Sequence, residues 1–308
     1  MQTRHIGSLE VSAVGLGCNN FGGRLDASRT KDVVHAALDA GVTLFDTADI
    51  YGGTLSEEYL GRALGARRDE IVLATKFGVP YEGHPGGAAP TAVRGAVEQS
   101  LKRLGTDVID LYQLHFPDRA VPIADTLGAL GELVAEGMVR EIGCSNFDAA
   151  QLREATDAVA PGAPPFVSVQ NQYNLLQREA EESVLGECAR AGIAFIPYFP
   201  LASGLLTGKY RPGQPVPDGT RIGSMPAERQ AEVLDNATLA RVQALAELAE
   251  GEGHSLLELA VAWLLARPQV ASVIAGATRP EQIQANANAA GWVLSPSDLS
   301  RIDEISPA

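Results

Sequence analysis

Residues 41–77 read GVTLFDTADIYGGTLSEEYLGRALGARRDEIVLATKF. Two β-rich runs, TLFDTA (43–48) and IVLATKF (71–77), flank a stretch in which Glu57 and Glu58 open a helix. Acids there suit the positive end of the helix dipole. The unit is strand, helix, strand. Its strands are near-continuous apolar runs rather than alternating ones, as expected for parallel strands covered on both faces.

The same unit recurs in both directions along the chain. Further strand-like runs are AVGLGC (13–18), VIDLYQLH (108–115), REIGCSN (140–146), FVSVQNQ (166–172), IAFIPYFP (193–200) and ASVIAGA (271–277). Between them, Thr30–Ala40 places Val33, Val34, Ala37 and Leu38 on one stripe and stops at Gly41. Thr91–Leu104 stops at Gly105, and Ser255–Arg267 carries an apolar face before Pro268. Eight alternating units without a linker predict an α/β fold, a (β/α)8 TIM barrel, as one domain over residues 1–308. An open doubly wound sheet is the alternative. Arg4–Ser12 reads as a β-hairpin turning at Gly7–Ser8, a plug under the barrel. Tyr210–Arg229 and Pro80–Pro90 read as long loops, and such loops are often lids.

Composition narrows the function classes. The chain has 308 residues, 45% hydrophobic and 20% charged, with 24 Lys plus Arg against 38 Asp plus Glu. A net charge of −14 repels phosphate backbones and anionic membranes, so neither nucleic acid nor membrane is an expected partner. Cys18, Cys144 and Cys188 are widely spaced and form no CxxC pair, which argues against a disulfide framework or a zinc site. The start has no apolar signal core. The longest apolar stretch, around Leu256–Ala266, contains Glu258 and is too short to span a bilayer. A cytoplasmic protein is expected, with no bound metal.

Barrel enzymes carry their active sites at the carboxyl ends of the strands. The second strand ends with Asp46, with Tyr51 just beyond, the third with Lys76 and the fourth with His115. Charge is seldom buried at strand ends for packing alone. Reducing a carbonyl needs a hydride and a proton. An ammonium near a phenol favours tyrosinate, so Lys76 is expected to lower the pKa of Tyr51. Asp46 would keep Lys76 charged and aimed, and His115 would hydrogen-bond the carbonyl oxygen. Tyr51 would be the general acid for reduction and, as tyrosinate, the base for oxidation.

DTADIYG, ATKFG, LYQLH, GCSNF, VQNQYNLL and PLASGLLTGKY, in that order, resemble motifs of the aldo-keto reductase superfamily, and the likeness runs from about Arg4 to Leu299. The resemblance implies a catalytic tetrad of Asp46, Tyr51, Lys76 and His115 and an NADP(H) cofactor acting on a small carbonyl or alcohol. It implies nicotinamide carboxamide ligands at Ser145, Asn146 and Gln170, with Tyr198 stacking on the ring. Phe199, Pro200, Leu201, Ser203 and Gly204 fall in the segment that holds the pyrophosphate, with Lys209 as a further phosphate contact. Gly276, Ala277, Thr278, Arg279, Gln282 and Asn286 fall at the adenosine end. The chain departs from many members at Gly276 (a lysine), Ala285 (a glutamate) and Phe199 (a serine).

The residues themselves agree in part. Asn and Gln amides donate and accept as a carboxamide needs. Arg279, just before a helix start at Pro280, suits a 2′-phosphate and favours NADP(H) over NAD(H). Arg221, on the long loop, is a second candidate for holding the cofactor. Gly15 and Gly17 lack the third glycine of a dinucleotide fingerprint, since position 20 is Asn. Cys18 and Asn19 are left as backbone contacts to the cofactor. Phe21, Phe77 and Phe116 follow strand ends one, three and four and are candidates, with Tyr51 and His115, for the substrate pocket. A second reading is an NADP(H)-binding regulatory subunit resembling potassium-channel β subunits, which the intact tetrad also permits.

Overall fold

The computed structural model describes residues 1–211 and 213–308. Pro212, inside the expected long loop, lies outside the described residues. The strands are β1 (Thr3–Ile6), β2 (Leu9–Ser12), β3 (Val14–Gly17), β4 (Leu44–Asp46), β5 (Val72–Phe77), β6 (Ile109–Leu114), β7 (Val139–Ser145), β8 (Ser168–Gln172), β9 (Ala194–Tyr198) and β10 (Val273–Gly276). The helices are α1 (Ala27–Asp39), α2 (Leu55–Leu64), α3 (Pro90–Leu104), α4 (Ile123–Ala135), α5 (Ala149–Asp157), α6 (Val184–Ala191), α7 (Ala227–Val233), α8 (Asn236–Gly251), α9 (Leu256–Leu265), α10 (Pro280–Asn288) and α11 (Pro296–Ile305).

Strands β3 to β10 form one parallel sheet in the order β10-β3-β4-β5-β6-β7-β8-β9. This is the expected eight-stranded (β/α)8 barrel, nearly closed. Its edges meet just before β10, where Phe195 N–H donates to the Gln269 carbonyl at 2.7 Å and Ala271 N–H donates to the Phe195 carbonyl at 2.9 Å. Above that point β9 and β10 share no ladder among the described residues. Every residue of β5 and β6 is buried, because one face looks into the barrel and the other onto helices.

The expected hairpin is β1 and β2, paired from Thr3↔Ser12 to Ile6↔Leu9. Ile6, Leu9 and Val11 pack with Leu44, Val72, Ala74 and Leu111, which start the inward rows of β4, β5 and β6. The hairpin therefore stoppers the amino end of the barrel and leaves the carboxyl end open. The Arg4 guanidinium clips the stopper down, donating to the carbonyls of Val270 at 2.5 Å and Leu265 at 2.6 Å. A cation suits the exposed carbonyls at the end of α9.

Caps shift the expected helix limits. Helix α1 starts three residues before Thr30, because the Asp26 carboxylate accepts the Arg29 N–H. In α9, Ser255 and Glu258 form a capping box, so the one acid in that apolar run serves as the cap partner. Of the stretch Tyr210–Arg229, α7 takes the last three residues. The acids of α2 divide. Glu58 is half-exposed and 3.9 Å from Arg62. Glu57 is fully buried and accepts from Thr75 Oγ1 and Arg103 Nε, each at 2.6 Å. Glu57 is thus a strut between α2, β5 and α3, beyond the dipole role expected for it. No helix among the described residues is long and apolar enough to cross a membrane.

Gly61 of α2 lies against the end of α3, where a Cβ would run into the Leu104 backbone. Alanine normally gains up to about 1 kcal/mol over glycine inside a helix. Here overpacking should outweigh that gain, costing about 1–3 kcal/mol. Gly61→Ala is expected to lower the urea midpoint, and a raised midpoint would show that the two helices can part freely.

Candidate active site

At the open end, β4 and β5 bring Asp46 and Lys76 together. The Lys76 ammonium is 0% exposed and donates to Asp46 Oδ2 at 2.7 Å and the Thr47 carbonyl at 2.9 Å. The other Asp46 oxygen accepts from Gln170 Nε2 at 2.8 Å and Gln113 Nε2 at 3.3 Å. Both oxygens are satisfied, which is the condition for keeping a buried ion pair. Burial works against the ammonium, but Asp46 and then Tyr51 outweigh it and hold the Lys76 pKa above its ordinary value.

Tyr51 rides on the turn after β4, its N–H donating to the Ala48 carbonyl at 3.2 Å. Lys76 Nζ lies 5.2 Å from the Tyr51 ring centroid. The Tyr51 and His115 rings meet edge to face at 5.9 Å. Lys76 pulls the Tyr51 pKa down as expected, but the net shift is upward. Burial, the largest influence, raises it, and the pull of Lys76 lowers it only in part. The phenol thus keeps its proton at neutral pH. His115 is pushed down to about 3 by burial and then by Lys76, so it stands as neutral imidazole.

The residues expected around a carboxamide hold one another. Ser145 Oγ donates to the Gln170 carbonyl at 2.6 Å, and Asn146 Nδ2 to the His115 carbonyl at 2.9 Å. Tyr198 OH donates to Asn146 Oδ1 at 2.9 Å. Asn146 has a φ of 62°. After β9, Phe199, Ala202 and Ser203 also adopt positive φ, at 51°, 44° and 58°. Such strain in residues with side chains persists where function or packing over-determines it.

One cavity of about 820 Å³ lies within the range of small-molecule sites. It runs from Tyr51, His115 and Phe116, past Asp46, Cys18, Asn19, Ser145, Asn146, Gln170 and Tyr198, to Phe199, Pro200, Leu201, Ser203, Gly204 and Lys209. Its far end holds Gly276, Thr278, Arg279, Gln282 and Asn286, with Arg221 across it. Nearly all the expected cofactor residues therefore line one channel. Ala277 does not; it is buried and gives its carbonyl to Asn20 Nδ2 at 3.3 Å. Phe21 and Phe77 do not reach the cavity either. Both are fully buried, with Phe77 stacked on Tyr112 at 4.6 Å. Of the three expected pocket phenylalanines only Phe116 faces the cavity, 52% exposed.

Several groups of the site escaped the sequence reading, Gln113 behind Asp46 and Asn20, Arg24 and Arg29 in the channel wall. Gln113 lies two residues before His115 on the same inward row of β6, so alternation alone could have found it. Asn20, Arg24 and Arg29 follow β3 and carry no local signal. Arg24 donates to the Gly219 carbonyl at 2.8 Å, and Arg221 reaches Asn20 Oδ1 at 3.3 Å. Both contacts tie the long loop across the channel. Five cations, Arg24, Arg29, Lys209, Arg221 and Arg279, line the channel of an acidic chain. Burial, then Arg24, Arg279 and Arg221, lower the Lys209 pKa. Like charges crowded together in this way are a site for an anion.

The family model described as Aldo/keto reductase family matches residues 13–307. The chain is 37% identical over 306 residues to "Aldo-keto reductase YhdN" of Bacillus subtilis (strain 168), covering 96% of this chain and 90% of that protein. It is 34% identical over 323 residues to "Probable voltage-gated potassium channel subunit beta" of Arabidopsis thaliana, covering 99% and 96%. It is 32% identical over 322 residues to "L-glyceraldehyde 3-phosphate reductase" of Escherichia coli O157:H7, covering 99% and 92%.

Proposed function

The chain belongs to the aldo/keto reductase family, and on that premise we propose that it is an NADP(H)-dependent carbonyl reductase acting reversibly on an aldehyde or ketone. The observation that carries this reading is the buried Lys76–Asp46 pair set behind Tyr51 and His115 at the mouth of one long channel.

The channel residues fit a dinucleotide phosphate. At Gly204, with φ of 96°, a Cβ would stand 2.6 Å from Lys209 Nζ, so only a glycine leaves that ammonium its place beside the backbone. Arg279 stands at the N-cap position of α10 and makes no side-chain cap there, so a phosphate could gain both the guanidinium and the helix N-terminus. Ser145, Asn146 and Gln170 would hold the carboxamide, Tyr198 would support the ring, and Lys209 and Arg221 would hold phosphate oxygens. A nicotinamide held there would supply the hydride that the carbonyl carbon needs. Neutral His115 orients the carbonyl oxygen without giving up charge. Tyr51 transfers its phenol proton to that oxygen as negative charge develops there. Lys76 stabilises the tyrosinate left behind, and Asp46 holds Lys76 in line. Three free, buried cysteines suit a reducing compartment, the cytoplasm in this reading.

The test is fluorescence titration with NADPH and NADH, followed by a carbonyl panel read at the nicotinamide absorbance. NADPH binding with turnover supports the reductase. Binding without turnover on any carbonyl favours a regulatory subunit like the channel-subunit relative. Arg279→Gln is expected to weaken NADPH binding by about 1.5–3 kcal/mol, roughly 10- to 100-fold, because a charge-assisted bond is lost. NADH binding should change little. Equal weakening of both would remove Arg279 from the 2′-phosphate.

A further inference from the structure

The segment that carries Tyr51 contains a second acid, Asp49, which the proposed reaction leaves unused. Asp49 is 1% exposed, and neither carboxyl oxygen accepts a well-formed hydrogen bond among the described residues, although the Ile50 N–H draws on the carboxylate. Its main chain is well held. Asp49 N–H donates to the Lys76 carbonyl at 3.1 Å, and two residues on, Tyr51 N–H donates to the Ala48 carbonyl at 3.2 Å. Asp49 therefore sits at the joint between the ammonium and the phenol.

The charged and titratable groups around it are Glu57 of α2, Arg103 of α3, Lys76 of β5 and Tyr112 of β6. Neither cation is free to pair with it. Arg103 is bound to Glu57 at 2.6 Å. Lys76 is committed to Asp46 and the Thr47 carbonyl. The Tyr112 hydroxyl is buried and also without a partner. An ionised carboxylate in such a place is strongly disfavoured, whereas a neutral acid is tolerated.

We propose that Asp49 is a positioning residue that works as the neutral carboxylic acid, leaving the Lys76 ammonium to Asp46 and Tyr51 alone. The proton stays on Asp49 throughout the reaction. Ionised, Asp49 would be a second carboxylate drawing on the field of Lys76. That field would then stabilise tyrosinate less, and Tyr51 would be a weaker acid. The inference rests on Tyr51 being the acid. Burial, then Glu57, push Asp49 up to about 7, against Arg103, the Ile50 N–H and Lys76. Ionisation thus falls near neutral pH.

Asp49→Asn keeps the shape and fixes the neutral state. In the wild type, kcat/KM for carbonyl reduction should fall several-fold as pH rises through about 7. That limb should be absent in D49N, which should equal the wild type on the acid side and exceed it on the alkaline side. Thermal unfolding gives a readout without cofactor. A folded pKa raised from 3.8 to about 7 contributes stability at low pH that is lost as pH rises across that window. Tm of the wild type should therefore decline relative to D49N over the same window. Infrared spectra of protein carrying isotope-labelled aspartate should show a protonated-carboxyl stretch that D49N lacks.

An unchanged limb in D49N overturns the proposal. So does loss of activity at every pH with native unfolding behaviour, since the carboxylate would then be required. If D49N does not fold, the labelled wild type decides alone, and a missing protonated-aspartate band overturns the proposal. Full turnover by Tyr51→Phe would instead strike the acid assignment. In that case the unfolding and infrared readouts still judge the protonation of Asp49.

Discussion

Tyr51→Phe is expected to lower kcat/KM for carbonyl reduction by roughly 10²–10⁴-fold, the usual contribution of a positioned general acid. That is about 3–5 kcal/mol of transition-state stabilisation. The ring would keep its edge contact with His115 and its place beside the Lys76 ammonium. Only the hydroxyl is removed, so the channel walls stay intact and NADPH affinity should be unchanged. Steady-state rates on the best carbonyl, with a parallel fluorescence titration, check both halves. Near-normal turnover would take the acid role from Tyr51. A joint loss of binding and rate would mean that the ring shapes the channel.

Lys76→Met should cost the fold itself about 3–5 kcal/mol, the penalty for stripping one partner from a buried ion pair. Asp46 would keep only its amide donors, Gln170 and Gln113, with no cation left beside it. Domains are commonly stable by about 5–15 kcal/mol in all, so a urea titration should show a clear fall. Adding Asp46→Leu should return much of the loss, because no unpaired charge then stays buried. Activity should not return. If the single variant proves as stable as the wild type, water must reach Asp46, and its burial counts for less than the geometry implies.

The barrel is legible in the sequence because its strands are covered on both faces. TLFDTA and IVLATKF therefore read as apolar runs where a half-exposed sheet would alternate. Strand ends are legible for the opposite reason: Asp46, Lys76 and His115 are charged or polar residues where packing alone would choose apolar ones. Contacts that depend on partners far along the chain are not legible. Glu57 looks like any acid at a helix start until Thr75 and Arg103 close on it. Phe21 and Phe77 follow strand ends as Phe116 does, but the helical layer buries them while Phe116 turns to the channel. The pull of Lys76 on Tyr51 is visible in the sequence, whereas the depth of burial that outweighs it is not. Arg24 and Arg29 meet Gly219 and Thr278 only once the ring has brought both ends of the chain together.

That ring is fastened late. Strand β3 pairs with β10, from Val14↔Val273 to Gly17↔Gly276, so the first wall of the barrel waits for the last. A ribosome releasing the chain from its amino end produces seven walls with bare hydrogen-bonding edges on β3 and β9. Exposed edges invite pairing with other chains. A nascent chain halted before Val273 is a growing sheet that cannot seal itself. Release of the final segment is then what makes the product safe from its neighbours as well as complete.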